Sequence, residues 1–596
     1  MVSCTRQGSK DGMKSMADTP GLEIISSIDT FKTMDEIFSS YYEERLKLFP
    51  LEATAIADDR YNDQLPCDIS DSYREKLKSF YNKFLDVISR VKREELQGED
   101  VLSYDVFKRE MEMQLEGLSF KDNLIPLNQF WGMHLSFAQL GEGSGNQPFK
   151  TPKDYDNFLG RIHGFVIWCD TAIANMKRGM EQGIVLPKAL AERILPQLQA
   201  MLVKEATASV FYGPVNKMPD SFSAADKKRL TDAYTAAIIK EIIPSYKKLY
   251  DFMKDKYTPS CRNTAGISDV PGGKEYYQYL AKFWTTTNMT PDEIFETGQK
   301  EVARLRAEME RIKNETGYKE DLKSFFKYLH TDKKFFPYKQ PGEVINAFLD
   351  IEKRMQPQLQ KLFNLVPKAK FEVRQTEKFR EASASAEYNQ SAPDGSRPGI
   401  FYVPVPDAAQ FNVVGMEYLF LHEAIPGHHY QISIQQENEQ LPRFRRFGWY
   451  GAYGEGWALY TESLGKELGL YTDPYQYFGS LNAEMHRAIR LVVDVGMHMK
   501  GWTREQAIQF SLENDAESEA DIIAEIERYM AIPGQALAYK IGQLKIIEIR
   551  KRAEQMLGQK FSIQKFHDQV LISGCLPLEV FENKMNAWIK AQQSSL

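Results

Sequence analysis

The sequence predicts a mainly α-helical protein, a large multi-helix body carrying one small β element. Three observations predict it. Apolar residues recur at three- and four-residue spacing over long stretches, among them Tyr73 to Val91 and Lys227 to Met253, a pattern that lays one apolar face along a helix. Helix-start signatures punctuate the chain: Thr33 with Glu36, and Thr290-Pro291 with Glu293, place side-chain oxygens where first-turn N–H groups lack partners. Only residues 370 to 410 turn strand-like, with FEVRQ and GIFYVPVP flanking the turn-rich ASAEYNQSAPDGSRPG.

Taken in order, residues 1–28 are polar and read as a tail or tether. Residues 29–270 read as a helical lobe. The Gly/Pro/Ser-rich stretch 261–275 is the candidate boundary, and 271–596 forms the lobe that holds the chemistry, although the length equally suits one continuous body. The helix opened at Thr290 continues through Val302, Leu305, Met309 and Ile312. The strand-like region is either a surface loop and hairpin or the lining of a cleft whose free edge takes an extended peptide. Tyr388, Arg397 and Tyr402 are its candidate substrate-facing side chains. Asp473-Pro474 opens a further helix running to Gly501.

With 75 basic and 82 acidic residues the formal charge is −7, which argues against a general nucleic-acid partner. No apolar run reaches the ~18 residues of a membrane span. Cys4, Cys67, Cys169, Cys261 and Cys575 show no CxxC spacing and build neither a disulfide framework nor a cysteine metal site. Met1-Val2-Ser3-Cys4 resembles the end of a bacterial lipoprotein processing site, which makes a lipid anchor and periplasmic exposure the expectation if translation starts upstream; otherwise Cys4 is a thiol on a cytoplasmic protein's tail.

The chemistry concentrates in HEAIPGHHY, residues 422–430, which holds three of the chain's nine histidines. A His-Glu pair followed by further His is the sequence form of a zinc hydrolase helix. The spacing departs from the usual i, i+4. On a straight helix His429 would lie about 10 Å beyond His422 along the axis and His428 would point away. Zinc–nitrogen bonds are about 2 Å, so the chain must kink or bulge between the ligands. Pro426 lacks the N–H that would bond the His422 carbonyl, and Gly427 permits unusual backbone angles.

His422 and either His428 or His429 are the candidate ligands. His428 is favoured because deleting Pro426-Gly427 restores HExxH. Glu455, in GWYGAYGEGWALYTESLGKELG and 33 residues after His422, is the candidate third ligand, and nearby Glu462 reads as either a site residue or a solvated helix charge. Glu423 is the candidate general base. Farther on, Arg490, Asp494 and His498 share one helix face near Arg487. They read as an ion-pair row, or as substrate contacts with Asp494 accepting from a ligand imidazole and His498 donating to substrate. In ERYMAIPGQALAYKIGQ, Tyr529 and Tyr539 are candidate oxyanion donors. Arg397, Arg490 and Arg528 are candidate clamps for a substrate carboxylate.

HEAIPGHHYQ, GEGWALYTE, RLVVDVGMH, GWTREQAI, RYMAIPGQALAYKIG, PGGKEYYQYL and DGSRPGIFYVP together resemble the bacterial family catalogued as domain of unknown function 885, from about residue 30 to the C-terminus. The resemblance implies a mostly helical, metallopeptidase-like body similar to the neurolysin and angiotensin-converting-enzyme group, with its site in a deep central cleft. The expectation is a zinc hydrolase of peptide or related amide bonds. The alternatives are a non-catalytic peptide- or partner-binding protein on the same cleft and a zinc amidohydrolase of small non-peptide amides. Two histidines and a carboxylate also suit iron.

Overall fold

The computed structural model describes residues 31–594 except 32, 379–380, 382–384, 393–394 and 396. The expected tail 1–28 and Cys4 lie outside the described residues. Within them the chain is helical nearly throughout, with one three-stranded sheet. The Thr33–Glu36 and Thr290–Glu293 capping boxes form as expected. The longest helix, α1 (Pro152–Gln182), starts on a third box from Thr151 and Asp154 and ends at left-handed Gly183, so local capping marks both of its ends. The next helix needed here is α2 (Pro291–Glu315).

The strands are β1 (Phe371–Gln375), β2 (Glu387–Asn389) and β3 (Gly399–Val403), in the order β1-β3-β2. β1 runs parallel to β3, not as the hairpin expected from sequence. A parallel pair needs a crossover of about a dozen residues or more, and the 376–398 connection provides it. Part of that turn-rich connection pairs antiparallel with β3 as β2 and leaves β2 at an edge. β3, in the middle, is buried at every position.

Beyond the sheet come α3 (Met416–Glu423), α4 (His428–Glu437), α5 (Gly451–Ser463), α6 (Pro474–Met499), α7 (Glu519–Ala531) and α8 (Leu537–Leu557). In place of the expected kink or bulge, the chain stops one helix and starts another. Ala424 (φ −105°, ψ −107°) and Gly427 (ψ −127°) both leave helical geometry, and the bond between Ile425 and Pro426 is cis. A Cβ at Gly427 would overlap the carbonyl oxygens of Leu421 and His422, so only glycine lets α4 return this closely over the end of α3. Close approach recurs where α5 lies on α8: Gly456 and Gly542 face each other, and a Cβ on Gly542 would enter the Ala452 carbonyl.

One core cluster of buried side chains runs from Leu65 to Ile589, across the expected boundary at 270. Part of the 261–275 stretch is packed into the body: Ala265 to Ile267 are buried, and the Ile267 N–H donates to His498 Nδ1 at 2.9 Å. The halves also interlock elsewhere. The Phe444 ring packs at a tilt, 4.7 Å from that of Phe38 in the N-terminal aromatic cluster, and buried Arg445 donates to the Glu99 carboxylate at 2.9 Å and to Ser103 at 3.0 Å. No helix among the described residues is long and apolar enough to cross a membrane.

Candidate metal centre

The break at Pro426-Gly427 positions the site. His422 sits in the last turn of α3 and His428 opens α4, so the turn folds the two imidazoles toward one point. Their rings stand 4.9 Å apart and perpendicular. α5 closes the third side. Its Trp457 indole donates to the Pro426 carbonyl at 2.9 Å and its Thr461 hydroxyl to the Leu421 carbonyl at 2.9 Å, tying α5 to both sides of the break. That pins Glu455, near the start of α5, with Oε2 at 3.7 Å from His422 Nε2 and 3.6 Å from His428 Nε2. One ligand-type atom from each of His422, His428 and Glu455 lies within 4.8 Å of the other two.

Glu462 sets the tautomer of His422. Its Oε1 lies 2.8 Å from His422 Nδ1, so the Nδ1–H donates to the carboxylate and Nε2, facing Glu455, is the nitrogen that would give up its proton and offer a lone pair to a metal. Burial opposes charging His422, but hydrogen bonds to Glu455 and Glu462, with Glu423 nearby, push its pKa up to about 10. Burial alone would raise Glu455, yet the two imidazoles outweigh it and hold the carboxyl well below its ordinary range. Glu423 stays above its ordinary value, chiefly through burial. Its Oε1 is 4.0 Å from His422 Nε2. Three carboxyl groups thus surround two imidazoles, an environment that favours a bound cation.

The donor set fits zinc. Tetrahedral ligands at about 2.0–2.1 Å from zinc stand about 3.4 Å from one another; the two histidine–carboxylate separations of 3.7 and 3.6 Å need only a few tenths of an ångström of contraction, and the three ligand atoms all lie within 4.8 Å of one another. Two nitrogens and one carboxylate would leave a metal held there a further coordination position, and the three residues line a cavity of about 710 Å³ together with Glu423, Tyr388, Arg490 and Tyr539. That volume is within the range of small-ligand sites.

Several sequence candidates fall elsewhere. His429 faces the sheet: its Nδ1 lies 2.9 Å from the Tyr388 hydroxyl, its ring packs 4.9 Å from Phe371, and burial pulls its pKa down to about 4. His498 is a buried tie between segments. Its Nδ1 accepts from Ile267 and its Nε2 donates to the Tyr529 carbonyl at 3.0 Å, which leaves no N–H for substrate. Asp494 accepts from the Tyr277 hydroxyl and the Gly534 N–H, not from a ligand imidazole; Glu462 has that place. The Tyr529 hydroxyl donates to Glu525 at 2.6 Å and accepts from Arg490 Nε at 2.9 Å, so of the two tyrosines only Tyr539 lines the cavity. Arg528 is spent on Glu525 and Gln535. Arg397 is exposed and donates to Asn389 at 3.2 Å.

Several cavity residues escaped the sequence reading, Trp449 and Gln436 among them. Trp449 stands 5.9 Å from the His428 ring, and Gln436 lines the same cavity. Nothing in their local sequence distinguishes them from core or surface residues. The position of Glu462 was more legible: seven residues after Glu455, it returns to the same helix face two turns on.

Among solved structures, the chain is similar to a protein from Colwellia psychrerythraea described as a "putative lipoprotein", at 28% identity and a TM-score of 0.84, over 94% of this chain and 98% of that one. It shares its fold with a second, from Shewanella oneidensis, described as a "putative lipoprotein of unknown function", at 18% identity and a TM-score of 0.74, over 93% of this chain and 100% of that one. No curated protein matches. The bacterial family of proteins of unknown function DUF885 matches residues 50–585, nearly the whole described body with its candidate metal centre, and the chain belongs to that family.

Proposed function

We propose that the protein is a zinc-dependent hydrolase of peptide or related amide bonds. The observation that carries this reading is the convergence of His422, His428 and Glu455 on the wall of a cavity that Glu423 also lines. The expected likeness to the neurolysin and angiotensin-converting-enzyme group draws no support from the relatives above, so the reading rests on the site itself. His422, oriented by Glu462, would hold the metal with His428 and Glu455. Zinc bound there supplies Lewis-acid polarisation of a carbonyl and acidifies water. Glu423 takes a proton from the attacking water as its oxygen bonds to the carbonyl carbon. The same carboxyl then delivers that proton to the nitrogen as the C–N bond breaks, releasing an acid and an amine. Tyr539, which lines the same cavity, would donate to the carbonyl oxygen as charge develops on it.

The test is metal analysis of protein purified without added metal, followed by mass-spectrometric profiling of a peptide library with and without chelator. One zinc per chain and chelator-sensitive cleavage are expected, with zinc lost from His422→Ala and Glu455→Ala. Stoichiometric zinc in both variants would reject the ligand set. No cleavage by zinc-loaded protein would reject the hydrolase and favour a binding protein.

The description of the Colwellia protein supports the reading in which translation starts upstream and Cys4 is a lipid-attachment residue. Acyl-modified Cys4 in the membrane fraction of a bacterial host is the expected observation, and an unmodified thiol in soluble protein would contradict it.

A further inference from the structure

The cavity wall carries a guanidinium group that the fold leaves incompletely partnered. Arg490 is 93% buried, given its 7% exposure. Its Nε donates to the Tyr529 hydroxyl and its Nη2 to Glu525 at 3.0 Å, but its Nη1 has no hydrogen-bond partner among the described residues. A buried charged donor left unpaired is costly, so a native site that retains one implies an acceptor brought from outside. Arg487, three residues earlier on α6 and also on the cavity wall, shows the same pattern: Nη1 donates to the Ala483 carbonyl at 3.1 Å while the buried Nε has no partner among the described residues.

Local charge points the same way. Glu525 is the carboxylate that pairs with Arg490, and it is shared with Arg528 at 2.8 Å and with His486 at 3.5 Å. Asp515, the next acid, is held by His486 Nδ1 at 2.5 Å. The nearest acids are thus already engaged by Arg490, Arg528 and His486, while Arg490 Nη1 and Arg487 Nε have no partner among the described residues. Tyr539 joins Arg490 to the metal centre: its ring lies 4.7 Å beneath the Arg490 guanidinium, and the Glu455 carboxylate is near enough to raise the pKa of its hydroxyl.

We propose that Arg490, with Arg487 beside it, receives the terminal carboxylate of the substrate, so that the chain end lies one tyrosine ring away from the carbonyl at the metal centre. This deepens the hydrolase reading and rests on it: the enzyme would remove the C-terminal residue, or a short C-terminal fragment, of a peptide. The rest of the peptide would extend toward β2, whose residues Glu387 and Tyr388 line the same cavity at the edge of the sheet. Arginine suits a carboxylate because its planar fork donates two parallel hydrogen bonds.

The experiment uses one peptide in three forms: a free C-terminal acid, a C-terminal amide, and an amide whose last residue is Asp, which separates a chain-terminal carboxylate from a side-chain one. Calorimetric binding to the zinc-loaded Glu423→Gln protein is measured first. The free acid is expected to bind about 10- to 100-fold tighter than either amide. Arg490→Lys and Arg490→Met should bring the three forms close to parity while zinc content and circular dichroism stay unchanged. If neither variant folds, the more exposed Arg487→Gln substitutes, with a several-fold loss of the same preference expected.

Equal binding of acid and amide, no binding of any form, a preference for the Asp-ended amide over the acid, or a preference untouched by these substitutions would overturn the proposal. Cleavage by zinc-loaded wild type separates the two readings. Equal cleavage of acid and amide removes the carboxylate site and leaves the hydrolase. Arg490-dependent binding of the acid without cleavage leaves the carboxylate site and removes the hydrolase.

Discussion

His422 binds nothing usefully unless its proton is kept on Nδ1, and Glu462, 2.8 Å away, keeps it there. Partners of this kind typically change metal affinity by about 10- to 100-fold, so Glu462→Gln should weaken zinc binding by that factor in a chelator competition while leaving the fold intact. An unchanged affinity would make Glu462 a structural acid only. Glu423→Gln should retain zinc and lose about 10²- to 10⁴-fold in turnover, the usual range for a general acid–base group; turnover within a few-fold of wild type would remove it from the mechanism. At this scale the sequence showed which residue types stood close in the chain but not what each touched. His428 and His429 are chemically identical neighbours. One faces Glu455 and the other the Tyr388 hydroxyl because successive helical residues point about 100° apart, and which is which depends on how α4 leaves the break.

Elements bring the ligands together. α5 delivers Glu455, and its closeness to α8 depends on Gly456 and Gly542, where no side chain intervenes. Gly542→Ala forces a methyl group into the Ala452 carbonyl. Overpacking of this kind costs about 1–3 kcal/mol and is relieved by moving α5 away, so both the thermal midpoint and zinc affinity should fall. Gly342→Ala, where an added Cβ meets nothing within 4 Å, is the control and should leave zinc affinity unchanged. If both substitutions behave alike, the helix contact does not position the site. Helix starts were legible here because a Thr and an acid three residues on are a local code. Pro426-Gly427 was legible as a fault in a helix, though not as two separate helices. The direction of β1 relative to β3 was not legible, because pairing depends on where the 376–398 connection travels.

The whole body responds to acid through histidines that burial keeps neutral. His567 lies in the core, with Nδ1 donating to the Leu362 carbonyl and Nε2 facing the Tyr460 hydroxyl, each at 2.8 Å, and its pKa is pulled down to about 3. In the unfolded chain it titrates near 6.5. Above that pH both states are neutral; as pH falls below it, only the unfolded chain takes up the proton, and stability is lost. Wild type should therefore lose about 1.4 kcal/mol more per pH unit between pH 6 and 4 than His567→Gln, measured by urea unfolding at each pH. Parallel pH dependences would contradict the assignment. The sequence by itself determined the helical class, the position of the fault between the ligands, and a His-Glu-His-Glu donor inventory, because periodicity, capping and backbone restrictions act over a few residues. Only the tertiary structure decided that Ile267 in the 261–275 stretch ties to His498, that Glu462 and not Asp494 backs the His422 imidazole, and that Arg490 and not Arg397 or Arg528 lines the cavity with one donor unpartnered among the described residues. Those outcomes depend on contacts between residues far apart in the chain, whose side chains find partners only once the helices have packed.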